Sequence, residues 1–213
     1  GKRSQPLNLK EPCSYLNTAA AVNSSHLRCS PTVIDVWVRN STLSEDILIE
    51  LGAPLMTVEQ FGCPAQFFLE LSFPKTGKGM SLTLQWFVKP ASRIPEAIWF
   101  AFSPKVISPD GWKMDKMGQQ ISPFEVLDDG NKKLHAVLDS VNYSHNDGEL
   151  IIKSLDAPLV SPGDMTIWDF NNDPPACANG MQFLLYNNLW GTNFPLWFED
   201  DAKFRFELLL EGE

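Results

Sequence analysis

The chain contains no run approaching the ~18 uncharged apolar residues that a membrane-crossing helix needs, and its opening, Gly1-Lys2-Arg3-Ser4, has no apolar signal core. It reads as a mature or excised segment without a membrane partner. It also lacks a basic cluster. Lys and Arg number 17 against 26 Asp and Glu, the net charge is −9, and the cations are scattered, so no stretch would neutralise a phosphate backbone and nucleic acid is not the expected partner. Histidine is scarce: His26, His135 and His145 are the whole set, none at His-x-His or HExxH spacing, which argues against zinc and leaves no cofactor to expect. A serine nucleophile elbow, a Gly-rich phosphate loop and a Cys/His pairing are missing as well. Helical periodicity is nearly absent, and one short turn of helix, around Leu55–Gln60, is expected.

What is present is a period of two. Ile34, Val36 and Val38 alternate with Asp35, Trp37 and Arg39; Phe67, Leu69, Leu71 and Phe73 repeat the pattern; Leu82, Leu84, Trp86 and Val88 alternate with Ser81, Thr83, Gln85 and Phe87, as half-buried strands do. Pro74 and Gly77–Gly79 mark a hairpin between the last two runs. Further strands are expected at Ala97–Phe102, Leu134–Leu138, Leu150–Ser154, Met165–Phe170, Met181–Tyr186 and Lys203–Leu210, about nine in all. With 44% hydrophobic and 20% charged residues a packed core is in reach. Sixteen prolines and thirteen glycines between short β-rich runs point to an all-β fold, a large antiparallel β-sandwich. Residues 1–31, rich in Ser, Asn, Pro and Ala, read as an irregular segment ahead of a sandwich domain at 32–213.

Three sequons occur, at Asn23, Asn40 and Asn142, beside four cysteines, Cys13, Cys29, Cys63 and Cys177, whose spacing fits no CxxC motif. Together they favour a secreted, extracellular glycoprotein. Four cysteines allow three full pairings. Cys13–Cys29 is preferred because a short link would pin the turn-rich N-terminus, with buried free thiols as the alternative.

The segments Arg93-Ile94-Pro95-Glu96-Ala97-Ile98-Trp99, Gly111-Trp112, Leu134-His135-Ala136-Val137, Leu155-Asp156-Ala157-Pro158-Leu159-Val160 and Asn187-Asn188-Leu189-Trp190-Gly191-Thr192-Asn193-Phe194-Pro195 resemble the C-terminal portion of the DUF5054 proteins, fungal and bacterial relatives of family 38 α-mannosidases. The resemblance covers a little over half of the chain, and its most specific part is Trp-Gly-Thr-Asn-Phe-Pro. It implies a galactose-mutarotase-like β-supersandwich placed after a catalytic α/β barrel, with activity toward a glycosidic bond. The related mannosidases carry zinc ligands and a catalytic carboxylate on that barrel, which this chain has neither the length nor the βα alternation to contain. No catalytic residue is therefore assigned.

A retaining glycosidase needs two carboxyl groups about 5–5.5 Å apart. Glu199-Asp200-Asp201, following Trp190 and Trp197, offers carboxylates for sugar hydroxyls and aromatic faces for sugar C–H groups, although an acidic loop ahead of a strand is also an ordinary solvated turn. Asn193 belongs with them, since amides both donate and accept. His135 stands in a β-like run and reads as a core histidine or a sugar contact; Asp156 caps a turn or reaches a sugar hydroxyl. Three expectations follow. One is the β-sandwich portion of a secreted glycoside-hydrolase-like protein, binding carbohydrate and accompanied by a catalytic domain or second chain. The second is a free-standing carbohydrate-binding or lectin-like protein, and the third a structural secreted protein.

Overall fold

The computed structural model describes residues 27–167, 171–188 and 198–211. Thirteen strands are present among them: β1 (Thr32–Asn40), β2 (Ser44–Gly52), β3 (Gln66–Pro74), β4 (Met80–Lys89), β5 (Ala97–Phe102), β6 (Trp112–Lys116), β7 (Gln119–Ile121), β8 (His135–Ala136), β9 (Ser140–His145), β10 (Gly148–Ser154), β11 (Leu159–Pro162), β12 (Met181–Asn187) and β13 (Asp200–Glu211). Among the described residues one α-helix, α1 (Leu55–Phe61), joins β2 to β3 and stops at Gly62, whose φ of 71° gives the left-handed cap. The strands form a nine-stranded sheet in the order β1-β2-β3-β4-β13-β10-β9-β6-β7 and a four-stranded sheet in the order β5-β12-β11-β8. The large antiparallel sandwich expected from the alternation is what the chain forms.

The core lies between the sheets. From the large sheet come Leu82, Phe206, Leu208, Leu150, Ile152, Val141, Tyr143, Trp112 and Met114; from the small sheet come Phe102, Phe183, Met181 and Val160. Phe206 sits at its centre, fully buried, with ring centroids 5.3 Å from Phe100, 5.3 Å from Phe102 and 5.2 Å from Phe183. A second cluster of Phe67, Leu84 and Trp86 extends this packing toward the end of the small sheet. Beyond it β1 and most of β2 overhang, and every residue of β1 is exposed.

Several elements depart from expectation for identifiable reasons. β1 forms where its alternation places it but buries neither face, because no residue of the core clusters packs against it. The Leu134–Leu138 run contracts to a two-residue β8: Leu138 leaves the small sheet and donates its N–H to Asp115 O of the large one at 3.0 Å. Met165–Ile167 form no strand, since Gly163 (φ 87°) and a Thr166 N–H to Asp164 O bond turn the chain; residues 168–170 of that run lie outside the described residues. β2, β6, β7, β9 and β11 were not expected. Val88, expected inward, is instead exposed with φ 52°, because the β4–β13 register shifts between Asp200 and Ala202, and Lys89 turns into the interior. No disulfide is present among the described residues: Cys29, Cys63 and Cys177 are free thiols, while Cys13 of the expected Cys13–Cys29 bridge lies outside them.

Phe206→Ala is expected to cost about 3–5 kcal/mol in denaturant unfolding, the usual loss for deleting a buried aromatic. Val38→Ala, on the open edge, is expected to change stability by no more than about 0.5 kcal/mol.

Candidate functional site

Antiparallel register determines what shares the outer face of the large sheet, opposite the core. Trp37 pairs with Leu48, Leu48 with Glu70, and Arg39 with Asp46; Glu50 pairs with Phe68, and Phe68 with Gln85. Residues paired in this way point to one side of the sheet. On that face lies a shallow, open groove of ≈ 430 Å³ lined by Trp37, Arg39, Asp46, Phe68, Glu70, Gln85 and Phe87, among others. Trp37 and Phe87 are exposed by 45% and 49%, and Phe87 makes a tilted pair with Phe68 at 5.8 Å.

The polar wall of the groove is fixed in place. Asp46, almost buried, accepts from Ser72 Oγ at 2.6 Å and from Arg39 Nε and Nη2 at 3.0 and 2.8 Å. The Ser72 hydroxyl first, and the Arg39 guanidinium with it, hold the Asp46 carboxyl below the usual carboxylate range. A guanidinium has five N–H donors, and two of those on Arg39 are engaged by Asp46 while its side chain remains 75% exposed. The groove therefore combines ring faces, a carboxylate, an amide and an oriented cation.

The end of the sandwich holds a second constellation. Lys89, with no exposed side-chain surface, pairs with Glu96 Oε1 at 2.5 Å, donates to Gly62 O at 3.3 Å and Pro90 O at 3.2 Å, and lies 4.9 Å from the Tyr186 ring centroid. Burial raises the Glu96 carboxyl against the pull of Lys89. Burial, then the charge of Glu96, pushes the Tyr186 hydroxyl up to about 12. Asn188 ties the same corner together, accepting from Glu96 N at 2.7 Å and donating to Ser92 O and Ile94 O. The cation is enclosed by protein partners, so this cluster fixes the corner rather than presenting a charge to solvent.

The residues singled out in the sequence do not form one site. Trp190, Asn193 and Trp197 lie outside the described residues. Glu199 is exposed ahead of β13. Asp200 Oδ1 accepts its neighbour's N–H, from Asp201, at 2.8 Å, and Asp201 Oδ1 accepts from Val88 N at 2.7 Å, so the two aspartates hold the backbone of the β4–β13 bulge. Asp156 is engaged by Arg205 through both carboxylate oxygens at 2.9 and 3.0 Å. His135 sits on the small sheet, opposite Val160 of the core and 7% exposed; burial and the nearby Lys116 lower its imidazole to about 4. Asn40 is exposed at the end of β1, and Asn142 is half-buried on β9 with its amide donating to Gln120 at 2.8 Å; Asn23 lies outside the described residues. Among the described residues no group of three His, Cys, Asp or Glu side chains could hold a metal ion.

The groove was not read from the sequence, though a signal was there. Trp37 and Phe87 occupy the polar phase of their strands, where an aromatic ring has no core to enter. No protein-family model and no curated protein sequence matches the chain.

Two expected outcomes follow from these environments. Lys89→Met should destabilise the protein by about 3–5 kcal/mol, because it leaves Glu96 buried and unpaired, and adding Glu96→Leu should recover much of that loss in the same urea titration. The His135 imidazole is lowered from 6.5 to about 4 in the folded chain, so between those values the unfolded chain binds the extra proton and stability falls as pH falls. The loss is on the order of 3 kcal/mol from pH 7 to pH 4. His135→Gln should flatten that part of the stability profile.

Proposed function

We propose that the chain is a carbohydrate-binding β-sandwich that serves a secreted glycoside-hydrolase-like protein and performs no bond cleavage by itself. The observation that carries this reading is the outer-face groove, where Trp37, Phe68 and Phe87 stand beside Arg39, Asp46, Glu70 and Gln85. Apolar C–H faces of a sugar pack on ring faces, while its hydroxyls need donors and acceptors at the rim. A groove open along a sheet also suits an extended chain of sugar units better than a small enclosed ligand. The DUF5054-like motifs support the same substrate class, and the exposed Asn40 sequon suits a secretory route.

The resemblance further implies a catalytic domain beside the sandwich, and one surface favours that arrangement. The core side of the overhang and of the adjoining β3 presents Val36, Val38 and Phe73 exposed, with Ile47, Ile49 and Leu71 half-buried between them. An apolar face of that kind is what a neighbouring domain would cover.

Calorimetric titration of the chain with oligosaccharides, mannose-containing ones included, tests the proposal. Trp37→Ala should weaken binding by about 1–3 kcal/mol, by analogy with base–aromatic stacking, with the thermal midpoint unchanged because the ring is outside the core. Absence of binding by the parent chain across such a panel would overturn the reading, as would turnover of aryl glycosides by the chain alone.

A further inference from the structure

The end of the large sheet near α1 brings two cysteines toward one another. Gly52 of β2 pairs with Thr32 of β1 on one side and Gln66 of β3 on the other. Cys29 precedes Thr32 by three residues and Cys63 precedes Gln66 by three, so both lie beyond the same end of the sheet and at the same number of residues from its last row. β2 no longer separates them there. Its chain passes through Ala53, whose N–H is held by Ala65 O at 2.9 Å, into α1, and returns through Gly62 to Cys63, whose N–H is held by Thr57 O at 3.2 Å. Cys63 packs against Phe67 and Trp86. Cys29 is exposed in the run 27–31, which belongs to no strand.

We propose that Cys29 and Cys63 form a disulfide, strapping the chain ahead of the edge strand β1 to the α1–β3 turn. Their Cα atoms must come within about 4.4–6.8 Å to do so, and the irregular run 27–31 supplies the freedom while Cys63 stays anchored. Burial first, and Cys29 next, push the Cys63 thiol up to about 11, in keeping with the two residues lying at the same end of the sheet.

The oxidant is a small-molecule disulfide such as oxidised glutathione. The exposed Cys29 thiol loses its proton and its sulfur attacks the oxidant, forming a mixed disulfide and releasing one glutathione thiolate. Cys63 then loses its proton and attacks the Cys29 sulfur, releasing the second. Two protein thiols are oxidised by two electrons, one S–S bond forms and one breaks, and the two protons end on the two glutathione thiols. Cys177, 1% exposed and pushed by burial up to about 12, stays reduced.

The test is the full chain equilibrated in a glutathione redox buffer, alkylated, digested with trypsin and mapped without reduction. Cleavage after Lys10, Arg28, Arg39, Lys75, Lys153 and Lys203 puts each of the four cysteines in a different peptide. The expected result is a cross-link between peptides 29–39 and 40–75, with Cys13 and Cys177 alkylated. A cross-link of 29–39 to 11–28, or alkylation of all four cysteines, overturns the proposal. Cys29→Ser, at an exposed position, should abolish the difference in thermal midpoint between oxidised and reduced protein, whereas Cys13→Ser should leave it in place; the reverse pattern overturns the proposal equally.

Discussion

The fold depends on one strand pairing. β13 enters between β4 and β10 and thereby joins two separate strand groups, β1 to β4 and β6, β7, β9 and β10, into one sheet. Its inward residues Phe204, Phe206 and Leu208 meet the small sheet, and the outward Arg205 holds Asp156 from the chain beyond β10. Take β13 away and both strand groups have an open backbone edge and the aromatic centre of the core is lost, two costs that arise together.

The same strand organises both ends of the functional reading. Where it passes β4 the register shifts, Val88 turns outward with positive φ, and Lys89 becomes the buried cation of the Glu96 and Tyr186 corner. A β-branched residue at φ 52° is strained, and the Asp201 carboxylate that accepts the Val88 N–H offsets part of that strain. The bulge therefore couples the acidic Asp200-Asp201 pair to backbone geometry. The groove lies on the outer face of the large sheet, where the register of β1 to β4 places three rings and an Arg–Asp pair on one side.

Legibility in the sequence follows burial. Strands with one apolar phase packed on the core, such as β3, β4 and β13, announce themselves, because a period of two has physical meaning when one face is dry. β6, β9 and β11 are short and bounded by turns, and pairs such as Trp112 with Met114 and Val141 with Tyr143 are too brief to display a period. β2 carries the alternation of Ile47, Ile49 and Leu51 with Asp46, Leu48 and Glu50, and Leu48 on the wet face obscures it. The groove escaped for the related reason that its rings come from three strands and meet only through register. The Lys89–Glu96 pair left no local trace, since a bulge reverses the inside-out phase and no spacing rule marks where one will fall.

The placement of β13 also sets a timetable. Val88 and the Asp201 carboxylate that holds it are 113 positions apart in the chain, and at ~5–20 residues per second a ribosome takes roughly 6–23 s to make that interval. Throughout it β4 is complete and has no partner on its far side. Its outer edge offers unpaired N–H and C=O groups to any other strand nearby, including the same strand on the next nascent chain of a polysome. A protein built this way gains from anything that keeps neighbouring copies apart during those seconds, and the finished chain's net charge of −9 does not supply it at the outset, because residues 1–89 carry 8 Lys and Arg against 7 Asp and Glu.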